Sequence, residues 1–291
     1  MIGEIRMVEN LTPLIFSYHR KPILEMCKFF WVKYGKFSGK TYIATDELPD
    51  VENDKFIYVL PDPPTWGAQR HFFPIMRTAL EKINTDYVMF FLEDDIFRNV
   101  KWEKINNIIK YMTRHGVDIY SFSAHSEGIL HPDGGFNNPI IQDAPDLEIT
   151  KKNFFTVLVD DGQRYSLQPS IWNRNSLLDV VLQTPDITGF RLDTNLDIRS
   201  SNPLVSMASN ISNCDWIEES RFDTNTCQIQ YSEVIQHGYF VYNTGPFSHP
   251  QFDIRTKNAL QFLKEYGATC EEGTVMRQFT FEDAHKGIYY D

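Results

Sequence analysis

Three consecutive acids, Glu93, Asp94 and Asp95, follow an apolar run in "VMFFLEDDIF", residues 88–97. Carboxylates packed against an apolar strand repel one another, and a cation or buried hydrogen bonds would offset that cost. Hard divalent cations such as Mg²⁺ or Mn²⁺ suit such a place, because they take few carboxylates and complete their shell with substrate phosphates. An ion of this kind on a diphosphate neutralises a leaving group and acts as a Lewis acid. A solvated acidic turn is the competing reading of the triplet, and the surrounding chain decides between the two.

The elements that must hold this turn alternate along the first hundred residues. "PLIFSYH" (13–19) is a short apolar strand that turns polar at its end. In the segment after it, Ile23, Met26, Cys27, Phe30 and Tyr34 share one helical face, and Gly35 marks the helix end. "KTYIATDE" predicts a second strand ending in Thr45 and Asp46, and "KFIYVLPD" (55–62) a third. Phe72, Ile75, Met76, Ala79, Leu80 and Ile83 again have helical spacing, with Pro74 tolerable in the first turn. "DYVMFFLEDD" is a continuous apolar strand, and "VKWEKINNIIKYM" a helix directly after it, with Trp102, Ile105, Ile108, Ile109 and Met112 on one side. The order β-α-β-β-α-β-α implies an open α/β sheet with right-handed crossovers.

Ligands of such sheets bind outside the carboxyl ends of the strands. Ser17, His19, Arg20, Asp46, Glu93, Asp94 and Asp95 all fall at or just past such ends. The helix after the first strand offers backbone amides and a positive dipole end to an anion. No GxGxxG, GxxxxGK[ST] or GxSxG is present, which argues against a dinucleotide fingerprint, a P-loop and a nucleophile elbow.

The second half is less regular. "NFFTVLV" predicts a strand, and "SLQPSIWNRNSLLDVVLQTP" (166–185) a strand or turn running into a helix with Leu177, Val180 and Val181 inward. The stretch 188–220 is poorly periodic, "GYFVYNTGPFSHPQF" (238–252) suggests a strand and loop, and "KNALQFLKEYG" closes with a helix whose apolar face is Ala259, Leu260, Leu263 and Tyr266.

The bulk numbers narrow the function classes. A chain of 291 residues is enough for one large α/β domain or two modest ones, with a well-buried core. A net charge of −11 argues against a broad surface for duplex nucleic acid, so a phosphate-bearing substrate would need a metal ion or a few placed cations. The four cysteines, Cys27, Cys214, Cys227 and Cys270, have no zinc-ligand spacing, and a reduced state is expected. No apolar run approaches the ~20 residues that span a bilayer, and the N-terminus lacks the basic-then-apolar pattern of a signal peptide. A cytoplasmic protein is expected, in the host cytoplasm if the source is viral.

"FFLEDD" at 90–95, "FSYHRKP" at 16–22 and the segment "TWGAQRHFFPIMRTALEKINTDYVMFFLEDD" together resemble the GT-A glycosyltransferases, in which an apolar strand ends in a short acidic motif beside a nucleotide sugar. "SLQPSIWNRNSLLDVV" is similar to the start of the acceptor half in some members. The resemblance covers about the first 100 residues and patches thereafter. It implies a GT-A-like open mixed sheet with a Rossmann-like N-terminal half and helices on both faces. Residues 1–97 would form the donor half and 98–291 the acceptor half of one continuous domain.

The resemblance also implies roles. Asp95 would be the principal ligand of Mn²⁺ or Mg²⁺, with Glu93 or Asp94 reaching the metal through water or binding the ribose. Ser17, His19, Arg20 and Asp46 would line the nucleotide pocket, and Gln69 and Arg70 would reach the sugar or diphosphate. His249 would complete the metal site, with His237 the lesser candidate. An inverting transfer needs a carboxylate base at the acceptor hydroxyl. "NCDWIEES" (213–220) supplies Asp215, Glu218 and Glu219 beside Trp216, and the Trp-x-x-Glu spacing of similar enzymes favours Glu219 and then Glu218. A retaining enzyme would not need this base.

The expected activity is therefore metal-dependent transfer of a sugar from a nucleotide sugar, a UDP-sugar on family grounds, to an acceptor hydroxyl on a glycan, a protein side chain or a modified nucleobase. The rival expectations are a Mg²⁺-dependent nucleotidyltransferase or phosphohydrolase using the same acids, and a non-catalytic carbohydrate-binding module.

Overall fold

The computed structural model describes residues 8, 10–17, 21–46, 48–49, 53–60, 72–122, 154–159, 163–165, 169–183, 196–198, 204–209, 229–233, 235–236, 239–240 and 265–266. Apolar runs at four places form the parallel half of the main sheet: β1 (Leu11–Ser17), β2 (Thr41–Thr45), β3 (Phe56–Val59) and β4 (Tyr87–Leu92). Their spatial order is β3-β2-β1-β4, all parallel. The chain winds outward from β1 to β2 and β3, then crosses back to place β4 on the other side of β1. This reversal makes the carboxyl ends of β1 and β4 a topological switch point, the place where open α/β sheets bind ligands.

The helices cover both faces. Helix α1 (Lys21–Phe30) and α3 (Trp102–His115) pack on one side, where Ile15, Ile43, Met89 and Phe91 point. Helix α2 (Phe72–Lys82) and α4 (Arg174–Gln183) pack on the other, against Leu14, Phe16, Ala44, Val88 and Phe90. Successive strand residues thus feed opposite cores, which is why β1 and β4 read as unbroken apolar runs. The helical spacings expected from the sequence match the buried sets: Ile23, Met26, Cys27 and Phe30 on α1, Ile75, Met76, Ala79 and Leu80 on α2, and Trp102, Ile105, Ile108, Ile109 and Met112 on α3. Pro74 sits in the first turn of α2, where its missing N–H breaks no helical bond.

β1 and β4 are also locked at their starts. Asn10 adopts a left-handed backbone (φ 72°), its amide donates to the Asp86 carboxylate at 2.7 Å, and its carbonyl Oδ1 accepts from the Asp86 N–H at 2.7 Å. Asn is among the few residues that visit this conformation readily. The lock fixes the register Leu11↔Tyr87 through Phe16↔Leu92, which decides what meets at the far end.

Beyond β4 the sheet becomes mixed. Strand β9 (Ser170–Asn173) lies antiparallel between β4 and β6 (Ile119–Ser121), and β11 (Leu204–Ser209) and β7 (Phe154–Val159) complete eight strands. The expected strand-to-helix run at 166–185 is thus β9 followed by α4. Asn173 Oδ1 caps α4, accepting from the backbone N–H of Asn175 at 3.0 Å and of Ser176 at 3.2 Å. The fold is the expected open mixed α/β sheet with helices on both faces.

Three expectations differ from the structure. The acidic turn does not lead straight into a helix: strand β5 (Asp95–Val100) intervenes, burying Ile96, Phe97 and Val100 while Asn99 is exposed. Outside the main sheet, it pairs antiparallel with β12 (Ile229–Glu233). The poorly periodic region contains β10 (Leu196–Ile198) and β11, the former pairing with β8 (Gln163–Tyr165). Finally, α1 runs on through a π-helical turn, Trp31–Gly35, and the left-handed cap is Lys36 (φ 52°) rather than Gly35. Gly35 answers a different demand, since a Cβ there would lie 2.7 Å from the Trp31 ring.

The π-turn directs Trp31 inward beneath the acidic turn. Its ring packs on Phe91 at 4.9 Å and edge-on to Phe97 at 5.2 Å, and its indole N–H donates to Thr41 Oγ1 at 2.9 Å. Trp102 completes the cluster, donating to the Gly35 carbonyl at 2.6 Å. β4 and β5 are therefore held from below by one aromatic group.

Candidate functional site

The switch point gathers polar residues that the rest of the sheet excludes. Register pairs Ser17 with Thr45, and the Glu93 N–H donates to the Phe16 carbonyl at 3.1 Å. The ends of β2, β1 and β4 thus line up as Thr45, Ser17 and Glu93, with Asp46 one residue beyond β2. All are nearly closed to solvent: Ser17 and Thr45 are 1% exposed, Glu93 3%, Asp95 2%, Asp94 8% and Asp46 9%. Burial excludes the solvated-turn reading of the acidic triplet.

Asp95 builds the turn from within. Its Oδ2 accepts from the backbone N–H of Leu92 at 2.9 Å, closing the reversal between β4 and β5 over Glu93 and Asp94. On the helix side, the Cys27 thiol donates to the Asp95 carbonyl at 3.8 Å. Burial pushes the Cys27 thiol well up, and the charges of Asp95, Glu93 and Asp94 push it further, while Lys28 opposes. Cys27 is therefore a neutral S–H donor under the turn. The three acids act on it as one negative field.

The Ser17 hydroxyl is buried with no hydrogen-bond partner among the described residues. A buried hydroxyl left unpaired costs about 1–3 kcal/mol, and such a group in a native fold calls for an explanation.

The donor set fits a hard cation. The described side chains of the turn itself offer carboxylate oxygens, and Mg²⁺ or Mn²⁺ needs only one or two of these plus phosphate oxygens. Among the described residues, no group of three His, Cys, Asp or Glu side chains is placed to hold a metal ion.

Of the residues expected to form the site, Ser17, Asp46, Glu93, Asp94 and Asp95 are brought to neighbouring strand ends. His19, Arg20, Gln69, Arg70, Asp215, Glu218, Glu219, His237 and His249 lie outside the described residues. Three further neighbours are not among the expected site residues. Thr45 is beside Ser17 by register. Cys27, on the apolar face of α1 one turn before Trp31, lies under β5. Glu233 stands opposite Asp95 in the β5–β12 pair, which no local pattern could reveal.

No protein-family model matches the chain. No curated protein sequence matches it either. Among solved structures, it is similar to the galactosyltransferase LgtC in complex with donor and acceptor sugar analogues, at TM-score 0.46 and 8% identity over 91% of this chain and 99% of that one. It is similar to the mannosyltransferase PcManGT from Pyrobaculum calidifontis in complex with GDP-Man and Mn²⁺, at TM-score 0.37 and 10% identity over 96% and 87%. It is also similar to the bifunctional IspDF from Campylobacter jejuni, at TM-score 0.34 and 9% identity over 65% of this chain, where it spans only 52% of that protein. The fold class stands on the strand order and register themselves. No described helix is long and apolar enough to cross a membrane.

Proposed function

We propose that the chain is a GT-A-type glycosyltransferase that moves a sugar from a nucleotide sugar to an acceptor hydroxyl with a divalent metal. The observation that carries this reading is the buried Glu93-Asp94-Asp95 turn at the β1/β4 switch point, beside a serine hydroxyl without a partner among the described residues. Open α/β sheets bind nucleotides at such points. Buried carboxylates there suit a cation that also holds phosphates.

Asp95, with Glu93 or Asp94, would hold Mn²⁺ or Mg²⁺, and His249 would complete the set. Bound there, the ion supplies charge neutralisation for a leaving nucleoside diphosphate. The Asp95 bond to Leu92 N–H fixes the turn before any ligand arrives, so little reorganisation accompanies binding. Ser17 and Asp46, with His19 and Arg20, would bind the nucleotide, and Gln69 and Arg70 would reach the sugar or diphosphate. In an inverting reaction, Glu219, or else Glu218 or Asp215, takes the acceptor proton. The donor is a UDP-sugar. Residues 1–97 serve the donor and 98–291 the acceptor, which is a glycan, a protein side chain or a modified nucleobase. The protein works in the cytoplasm.

A thermal-shift series tests this reading: nucleoside diphosphates, nucleotide sugars, nucleoside triphosphates and free sugars, each with and without Mn²⁺. Metal-dependent stabilisation by UDP and a UDP-sugar is expected; at a hundredfold excess over Kd it amounts to about 2.7 kcal/mol. Preference for a triphosphate with release of pyrophosphate would instead make the protein a nucleotidyltransferase. Response to free sugars alone would make it a binding module. Absence of any nucleotide response under every metal would overturn the transferase reading.

A further inference from the structure

The turn at the switch point has two legs. β4 is fixed inside the eight-stranded sheet, whereas β5 lies outside that sheet and needs another hold. Part of that hold comes from far along the chain. The Glu265 carboxylate accepts from Lys33 Nζ at 2.8 Å, from Arg98 Nη1 at 2.5 Å and from the Tyr34 hydroxyl. Lys33 and Tyr34 belong to the π-turn after α1, and Arg98 stands three residues past Asp95 on β5. The Arg98 guanidinium lies over the Tyr34 ring at 4.7 Å, and Lys33 Nζ lies 5.3 Å from the same ring. Next to Glu265, the Tyr266 ring meets Phe29 of α1 edge-on at 5.3 Å.

The chemistry makes Glu265 the centre of this group. Two cations lie against one phenol ring, and a single carboxylate with an oxygen for each offsets their repulsion. Glu265 and Arg98 are 18% and 23% exposed at the side chain, so water screens the pair less than an open surface pair. A bidentate acceptor between β5 and the π-turn fixes the direction of β5, and with it the direction of the carboxylate turn.

We propose that Glu265 is a positioning residue for the Glu93-Asp94-Asp95 turn, acting through Arg98 and the π-turn at Lys33 and Tyr34. The role in binding rests on the nucleotide-sugar reading of that turn; the role in holding β5 does not. Glu265 touches no reacting group in this scheme, so its loss affects ligand affinity through the geometry of β5.

The test uses the full chain with Glu265→Ala, Glu265→Gln and, as control, Glu81→Ala, which breaks the exposed Arg77–Glu81 pair on α2. Hydrogen exchange is followed at amides 93–98 and at 11–16, and UDP affinity is titrated in Mn²⁺. Glu265→Ala should speed exchange at 93–98 by about tenfold while 11–16 stays within about twofold of wild type, because local opening is separable from global unfolding. It should also weaken Mn²⁺–UDP binding by about tenfold, with Glu265→Gln intermediate and Glu81→Ala unchanged. Unchanged exchange at 93–98, or equal acceleration at 11–16, overturns the proposal. Selective acceleration with unaltered UDP affinity overturns it as well. If wild type itself binds no nucleotide, the reading of the site falls, and the exchange result alone decides whether Glu265 holds β5.

Discussion

The Asp95 carboxylate accepts a hydrogen bond from the backbone N–H of Leu92 at 2.9 Å, so the residue proposed to bind a cation also closes the turn that carries it. Two substitutions separate these duties. Asp95→Asn keeps an acceptor for Leu92 and should leave the melting temperature within a few degrees of wild type while abolishing metal-dependent nucleotide binding. Asp95→Ala loses both and should destabilise the fold by about 1–3 kcal/mol, because the Leu92 N–H is left unsatisfied. Denaturant titration and Mn²⁺–UDP titration on the pair check this. Equal nucleotide affinity in Asp95→Asn and wild type would remove the metal role.

Ser17 gives a prediction of the opposite sign. Its hydroxyl is buried without a partner among the described residues, so Ser17→Ala should leave the ligand-free protein as stable as wild type, or more stable by about 1 kcal/mol. The same change should weaken nucleotide binding. Clear destabilisation of the ligand-free variant would mean that the hydroxyl is already satisfied within the chain.

Gly35 is limited by space. A Cβ would lie 2.7 Å from Trp31 Cε3 and 2.9 Å from Cδ2, both in a ring wedged against Phe91, Phe97 and Trp102. Gly35→Ala should cost about 1–3 kcal/mol by overpacking, visible as a lower denaturant midpoint. Since the displaced ring supports β4 and β5, near-ultraviolet circular dichroism from the tryptophans should change with it.

Glu265 sets a pH dependence. Burial pushes its carboxyl up, but hydrogen bonds from Lys33, Tyr34 and Arg98 outweigh this and hold it below the ordinary carboxylate range. Its contribution to stability is then fully present above the unfolded-state value, about 4.3. That contribution disappears as pH falls through the lower folded-state value. The difference in melting temperature between wild type and Glu265→Gln should be constant near neutrality and shrink below about pH 4. A difference that grows on acidification would contradict the lowered carboxyl.

Cys27 should resist alkylation in the native state. Its thiol is buried and held protonated, so mass-mapped labelling by iodoacetamide at pH 8 should reach it only after denaturant is added. Rapid native labelling would show that α1 lifts from the carboxylate turn.

Much of this architecture was legible because local pattern and burial agree. The α3 spacing of Trp102, Ile105, Ile108, Ile109 and Met112 is the face that is buried, and the unbroken run 87–92 is a strand covered on both sides. The polar strand ends were legible for the same reason, since apolar runs make their own boundaries visible. β5 was not, because "IFRNV" is short and merges with the helix that follows; its strand state depends on Trp31 below and β12 beside it. Lys36 as the cap of α1 was hidden by Gly35, whose glycine serves the packing of Trp31. Glu265 was out of reach of any pattern, because its partners lie at positions 33, 34 and 98.

The insertion of β9 beside β4 has a consequence for the chain as it is synthesised. The strand pairings that join β1 through β4 are among these four strands, so they can form once residue 92 is available. The outer edge of β4 is then a row of unpaired backbone groups flanked by Val88, Met89 and Phe90, and its partner Ser170–Asn173 has yet to be made. An apolar strand edge is a template for pairing with other chains. The window between translation of Leu92 and of Asn173 is therefore when nascent copies of this protein are most exposed to aggregation, and a ribosome pausing between them would lengthen it.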